Sequence, residues 1–199
     1  MCGPGVGTPL GRSFFARPSP VVARQLVGCW MVRLQGNRAT RVMVTETEAY
    51  LGAADPASHA FRGRTARNAP MFGVAGIAYV YFIYGMHYCF NVVTGTSGDP
   101  QAVLLRGAVA NHDPGMATLR GPGRLCRGLG IDLSCNGMDL CPPHVSTIWF
   151  EPAELPLPMV ATTARIGVYD PSPLRYLAVG GRFPRPGKEK RAPKGSPII

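Results

Sequence analysis

The stretch Val42-Met-Val-Thr-Glu46-Thr-Glu48-Ala-Tyr50 constrains the fold more than any other part of the chain. Its period of two suits a β-strand, in which Val42, Val44, Glu46, Glu48 and Tyr50 share one face. Two carboxylates following two valines put charge at the rim of a core, where burial raises a carboxyl pKa. The spacing leaves one alternative open: a strand that twists or ends at Thr45 and leaves both glutamates in water.

The flanking segments supply partners for this strand. Ser19-Pro20 opens a short helix that Gly28 stops, and Cys29 to Leu34 alternates as a strand. Gly36-Asn37 marks a turn into a strand from Ala39 to Tyr50. Asp55 to Phe72 is a polar, Arg-rich loop. Ala78 to Val93 reads as strand, tight turn at Gly85, strand, and Ala102 to Val109 as a further strand. Gly121-Pro122 opens a helix over Gly123 to Leu129. A Pro-rich connector covers Cys141 to Pro158, and Val160 to Val168 and Arg175 to Val179 are the last strands. The pattern predicts a strand-dominated α+β domain over residues 13–180. A flexible arm (1–12) precedes it, and a basic, disordered tail (181–199) follows. No repeat is visible, and Gly3-x-Gly5-x-Gly7 neither follows a strand nor opens a helix, as a phosphate loop would.

Charge narrows the partners. The formal net charge is +10, with 15 arginines against ten acids in residues 1–180 and six basic residues against Glu189 beyond them. Such a surface favours polyanions, nucleic acid foremost, although a merely solubilising surface looks the same. All three lysines, Lys188, Lys190 and Lys194, lie in the tail. Schiff-base chemistry needs a positioned amine, so a lysine-free domain is expected to do none. The six cysteines form no C-x-x-C pair, and several sit in apolar runs as buried free thiols do, which fits a reducing compartment. Cys141 and His144 offer two metal ligands where a closed zinc site takes four, so no metal is expected. No apolar run approaches bilayer length, and the N-terminus lacks signal-peptide order.

From Pro56 to Gly98 there is no acid at all. Arg62, Arg64 and Arg67 are followed there by Tyr79, Tyr81, Tyr84 and Tyr88, with Phe82 and Phe90. Arginines beside clustered aromatics suit a surface that holds phosphates and stacks bases. Tyr84-Gly-Met-His87 is a plausible hairpin tip, and an aromatic there is a candidate wedge for a base step. An ordinary aromatic core strand accounts for the same pattern.

Together these strings resemble the alkyladenine (3-methyladenine) DNA glycosylase family. The resemblance rests on Thr45-Glu-Thr-Glu-Ala-Tyr-Leu-Gly52, His59, Arg67-Asn68, Met71-Phe72, Tyr79-Val-Tyr-Phe-Ile-Tyr-Gly-Met86, Asn91 and Val103-Leu-Leu-Arg106. It continues through Gly121-Pro-Gly-Arg-Leu-Cys126, Ala164-Arg-Ile-Gly-Val168 and Pro173-Leu-Arg175, covering roughly residues 10 to 180 in order. It implies a single α+β domain around a curved antiparallel sheet, with short flanking helices, a protruding hairpin, and no metal or cofactor in catalysis. Glu48 resembles the family's general base. Tyr50, His59 and Tyr81 resemble the walls around an extruded base, Asn91 the residue that crowds guanine's amino group, and Arg106 the arginine of the pocket floor. Tyr84 resembles the side chain that fills the vacated space in the duplex. Arg64, Arg67 and Arg124 are candidates for the DNA backbone, Arg124 standing where the family is expected to carry lysine.

The chemistry is coherent on its own terms. An N-glycosidic bond breaks through an oxocarbenium-like sugar, so a carboxylate that positions water and offsets that charge is the minimum equipment. Without a domain lysine, water is the nucleophile and strand cleavage should not follow. The expectation is a monofunctional glycosylase acting as a monomer on double-stranded DNA with alkylated or deaminated purines. It would work at the nucleoid in bacterial cytoplasm, or in the nucleus of a eukaryote. Glu46 competes with Glu48 for the role of base, while His87, His112 and His144 read as structural. Two other readings compete. A non-catalytic nucleic-acid binding module would tolerate Glu48→Gln. A metal-dependent nuclease built on Glu46, Glu48, Asp55 and His59 would be stopped by chelator.

Overall fold

The computed structural model describes residues 7–110, 119–141, 146–154 and 157–180. Two short helices, α1 (Arg12–Phe15) and α2 (Ser19–Leu26), precede the strands β1 (Trp30–Gln35) and β2 (Arg38–Tyr50). A long covering segment leads to the hairpin β3 (Ala78–Ile83) and β4 (His87–Thr94), then to β5 (Gln101–Ala110). The rest comprises β6 (Leu119–Arg120), α3 (Pro122–Gly128), β7 (Ile148–Glu151), β8 (Met159–Thr163) and β9 (Arg175–Val179). The nine strands among the described residues join one antiparallel sheet, whose main path runs β3-β4-β5-β2-β1-β7. β6 adds to β5, and β9 to β2 with β8 outside it. The fold is thus the curved, single-domain α+β sheet that the sequence led us to expect.

The curvature comes from β2. Its first half pairs with β1, up to Met43, and its second half pairs with β9 from Glu46 to Glu48. β5 runs along its other side from Val42 to Tyr50. Where β1 gives way to β9, the β2–β5 register shifts on both sides of Glu46, between Val44 and Thr47. A bulge of this kind bends a strand and re-aims its side chains.

That bulge overturns the expectation that Val42 to Tyr50 keep one face. Val42 and Val44 pack in the main core, but beyond the bulge it is Ala49 that does so, and Thr47 donates its hydroxyl to Ala23 O of α2 at 2.8 Å. β5 switches with it: Ala108 before the shift and Leu105 and Val103 after it belong to the main core. Glu48 and Tyr50 therefore turn to the opposite face. The strand does twist near Thr45, yet Glu48 is 0% exposed rather than solvated.

The two faces of the sheet have different covers. Ala78, Val80, Phe90 and Val92 of the hairpin join the main core, with α2 residues Val22, Ala23 and Leu26 and α3 residues Leu125 and Cys126. The alternate residues Tyr79, Val93 and Ala102 face a smaller cluster with Ala60 and Met71 of the covering segment. Period-two alternation in β3 and β4 thus sends Tyr79, Tyr81 and Asn91 to one side and Val80, Phe90 and Val92 to the other.

Three boundaries differ from the sequence reading. The Pro-rich connector contains β7, which pairs with β1. β8 stops at Thr163, opposite Arg175, so Ala164 to Val168 is loop rather than strand. α1 is an added helix, and upstream of it Leu10 N–H donates to Phe150 O at 2.7 Å. Residues 1–6 of the arm, the tail from 181, His112 and His144 lie outside the described residues. Cys29, Cys89, Cys126, Cys135 and Cys141 are buried free thiols, as the apolar runs suggested. No helix among the described residues is long and apolar enough to cross a membrane.

Candidate active site

The bulged end of β2 and the alternate residues of β3, β4 and β5 form the floor of a cleft of about 1140 Å³. That exceeds the roughly 300–1,000 Å³ of most small-molecule sites. Tyr50, His59, Tyr79, Tyr81, Asn91 and Arg106 line it, with Tyr84, Gly121 to Arg124 and the loop from Ile166 to Tyr169 nearer the rim. Register explains the convergence, since Tyr79 pairs with Asn91, Tyr81 with Cys89, and Asn91 with Leu104.

Glu48 sits directly beneath this floor, covered by three groups that line the cleft. Its Oε1 accepts the Ile166 N–H at 2.8 Å, and its Oε2 accepts the Tyr50 hydroxyl at 3.1 Å. The Arg106 guanidinium reaches Oε2 through Nη1 at 3.3 Å, and its Nε lies 3.3 Å from Oε1. Burial pushes the Glu48 carboxyl above its ordinary value; the Arg106 charge, the Ile166 amide and the Tyr50 hydroxyl oppose the shift, while Glu46 adds to it. Arg106 stays firmly charged: burial alone would lower its pKa, but Glu48 and Glu46 more than offset that. Glu46 is held elsewhere, with Arg106 Nε at 3.2 Å and Arg175 Nε at 2.8 Å on its Oε1. Glu46 thus neutralises two arginines, leaving Glu48 as the carboxylate under the cleft.

The walls are aromatic. The His59 and Tyr81 rings lie 4.5 Å apart between centroids, and Tyr79 and Tyr81 lie 5.4 Å apart. His59 Nδ1 is 2.6 Å from the Tyr79 hydroxyl, and burial, then the charge of Arg67, pulls the imidazole pKa down to about 4. The ring is therefore a neutral wall near pH 7. Asn68 fixes its loop by donating Nδ2 to His59 O at 2.8 Å and to Gly63 O at 2.9 Å. Asn91, buried in the cleft, donates to Tyr79 O at 3.0 Å.

At the open end, Tyr84 and Gly85 both take left-handed φ values, 54° and 67°, the φ pattern of a type I′ hairpin turn. Met86 N–H closes the turn on Ile83 O at 3.2 Å. For a tyrosine that backbone costs on the order of 1–3 kcal/mol, and it carries a side chain 70% exposed at the cleft rim. Arg124 also lines the rim and is exposed. Arg64 is exposed but does not line the cleft, and Arg67 leans over Tyr81, its Cζ 5.4 Å from the ring centroid.

Sequence reading missed several participants. Arg120 and Arg127 line the cleft beside Arg124, and the Arg124–Arg127 spacing along α3 was the available signal. The Ile166 amide has no side-chain signature. Arg165 was quoted in a motif without a role, yet its side chain is 0% exposed. Its Nη2 meets Asp55 Oδ1 and Asp170 Oδ2, each at 3.0 Å, and Nη1 meets Asp55 and Ala49 O. Deleting one partner of such a buried pair costs about 3–5 kcal/mol. Among the described residues no group of three or more acids, histidines and cysteines is placed to hold a metal.

A buried carboxylate beneath an aromatic cleft with exposed arginines at its rim suits hydrolysis of a flat group carried on a polyanion. The chain belongs to the methylpurine-DNA glycosylase family, whose model matches residues 13–182, and so to the DNA-binding hydrolases of base excision repair. A Rickettsia peacockii protein named "Putative 3-methyladenine DNA glycosylase" is 48% identical over 160 residues, covering 80% of this chain and 83% of its own. Relatives of the same name in Myxococcus xanthus (50% over 136 residues, 67% and 70% covered) and Desulfitobacterium hafniense (43% over 152 residues, 66% and 75% covered) are also similar.

Proposed function

We propose that this enzyme flips alkylated or deaminated purines, 3-methyladenine among them, out of duplex DNA and hydrolyses their N-glycosidic bond without cutting the strand. The observation that carries the reading is Glu48, fully buried beneath an aromatic cleft and bonded by Ile166, Tyr50 and Arg106. As a carboxylate, Glu48 deprotonates a water that reaches it between those three groups, and its charge offsets the oxocarbenium-like sugar. Tyr50, His59 and Tyr81 stack on the extruded base. A purine made cationic by alkylation leaves as the neutral base and gains cation–π attraction of about 1–2 kcal/mol per good aromatic contact, whereas a neutral deaminated purine takes a proton from solvent as it leaves. Tyr84 fills the gap in the duplex, Asn91 crowds guanine's amino group, and Arg124, with Arg64 and Arg67, serves the DNA backbone. Flipping costs a few kcal/mol and least for damaged pairs, which adds selectivity. The domain has no lysine through residue 180, so no Schiff base forms and the abasic site persists.

The test uses duplexes carrying single hypoxanthine, ethenoadenine or 3-methyladenine-analogue lesions, in chelator, with wild type and Glu48→Gln. The expected result is alkali-dependent breaks from wild type and a rate at least ~10²-fold lower for the variant at similar duplex affinity. Breaks without alkali, or equal rates from both proteins, would overturn the proposal.

A further inference from the structure

Arg165 is the most heavily engaged side chain that the mechanism above does not use. It lies behind the cleft, on the loop that follows β8, and each of its contacts leads to a different wall. Through Asp55, which also accepts the Leu51 N–H at 3.1 Å and the Ala57 N–H at 3.0 Å, it fixes the start of the segment that carries His59. Through Ala49 O at 3.1 Å it grips β2 between Glu48 and Tyr50. Its Cζ sits 4.8 Å from the Tyr50 ring centroid, a cation–π contact on the tyrosine whose hydroxyl bonds Glu48. Through Asp170 at 3.0 Å it closes its own loop, which Asp170 tightens further by accepting the Ser172 N–H at 3.0 Å. The next residue in that loop is Ile166, whose amide bonds Glu48.

We propose that Arg165 is a positioning residue for base excision. It holds Tyr50 and the Ile166 amide, two of the three groups that both bond and cover Glu48, in the arrangement that hydrolysis needs. This rests on the glycosylase reading for its substrate, but not for its geometry. A planar, five-donor guanidinium spans Asp55, Asp170 and Ala49 O together; a lysine ammonium keeps the charge but lacks the fork, so it cannot hold all three. A merely structural ion pair would need no contact with Tyr50 and no neighbour on Glu48.

The groups facing Glu48 are Arg106 from β5, Cys89 from β4, Arg175 opposite it on β9, Tyr50 and Glu46 from its own strand, and the Ile166 amide from the Arg165 loop. Arg165→Lys leaves the charges of these groups as before and loosens the Tyr50 hydroxyl and the Ile166 amide. The Ile166 amide favours the carboxylate, so its loss raises the pH at which Glu48 takes up a proton. A base must be ionised, so the acid limb of the excision profile moves to higher pH.

The experiment measures single-turnover excision of hypoxanthine from a labelled duplex across pH, with duplex affinity and thermal midpoint, for wild type, Arg165→Lys and Asp170→Asn. Asp170 is partly exposed and its loss spares the buried Asp55 pair, so that variant keeps the proposal testable if Arg165→Lys folds poorly. Expected are a rate ~10-fold or more lower for Arg165→Lys and a smaller loss for Asp170→Asn. Both acid limbs shift upward, and affinity stays within about twofold. A folded Arg165→Lys with the wild-type rate and acid limb, or a loss confined to affinity or thermal midpoint, overturns the proposal. If wild type excises nothing from any lesion, the glycosylase reading fails on its own. The positioning role is then decided by the Glu48 titration in carboxyl-labelled protein: moved upward in Arg165→Lys it stands, unmoved it falls.

Discussion

Glu48 shows how one residue can work against the fold that carries it. Its carboxyl pKa is raised in the folded chain, because burial outweighs Arg106, the Ile166 amide and the Tyr50 hydroxyl together. A raised folded pKa gives stability that is complete below the unfolded value and is lost as pH rises through the folded one. The ionised state that the proposed mechanism uses is therefore the one the fold tolerates less well. Glu48→Gln does not titrate, so denaturant unfolding at steps from pH 4 to 8 should show wild type losing ground to the variant as pH rises. The slope would be no more than about 1.4 kcal/mol per pH unit, the limit for one proton. A constant difference across that range would mean that Glu48 keeps its ordinary pKa. His59 titrates in the other sense: its pKa is lowered to about 4 by burial and then Arg67, so its contribution is present above its ordinary 6.5 and fades as pH falls toward 4. At this scale the sequence was informative. Glu48, Tyr50, His59, Tyr81, Asn91 and Arg106 do converge on one cleft. Arg165 was harder to see, because its segment reads as a strand and an arginine there gives no sign that it is buried among acids distant in sequence.

At the scale of elements, the decisive feature is the double register shift that turns Glu48 away from the core. Glycine at 107 permits it. A Cβ built there would lie 3.0 Å from Thr45 Oγ1 and 3.2 Å from Glu46 Cβ, inside the bulge itself. Gly107→Val should therefore force β2 and β5 apart where Arg106 meets Glu46. The expected cost is about 1–3 kcal/mol in denaturant unfolding, with a larger proportional loss of excision than of stability. A variant as stable and active as wild type would show that the bulge yields freely. None of this was legible in the alternation of Val42 to Tyr50, because a bulge is set by the partner strand as much as by its own residues. The same reason hid β7: four residues among prolines gain strand identity only from β1, far upstream in sequence. The β3–β4 hairpin was easier to read, since both its strands and its Tyr84-Gly85 turn are local.

For the whole molecule, the proposed function divides recognition between a charged rim and an aromatic interior. Arg120, Arg124 and Arg127 are exposed and line the cleft on one side, while Tyr50, His59 and Tyr81 lie within it. Phosphate contacts act alike on every sequence and release counterions, so each one lost should lower the salt dependence of binding by about one unit of log affinity per log salt. Base contacts carry no such dependence. Arg124→Ala should then weaken binding to lesion-bearing and undamaged duplexes by similar factors and reduce the salt slope by about one. Tyr81→Ala should leave the slope unchanged and erode only the preference for the lesion. Fluorescence anisotropy over a salt series, with both duplexes and both variants, checks this directly. An Arg124→Ala slope equal to wild type would remove that residue from the backbone interface and shift the burden to Arg120 and Arg127. Because Arg67 is engaged with Tyr81 and Phe82 O, its removal should mix the two signatures, with part of its effect on slope and part on selectivity.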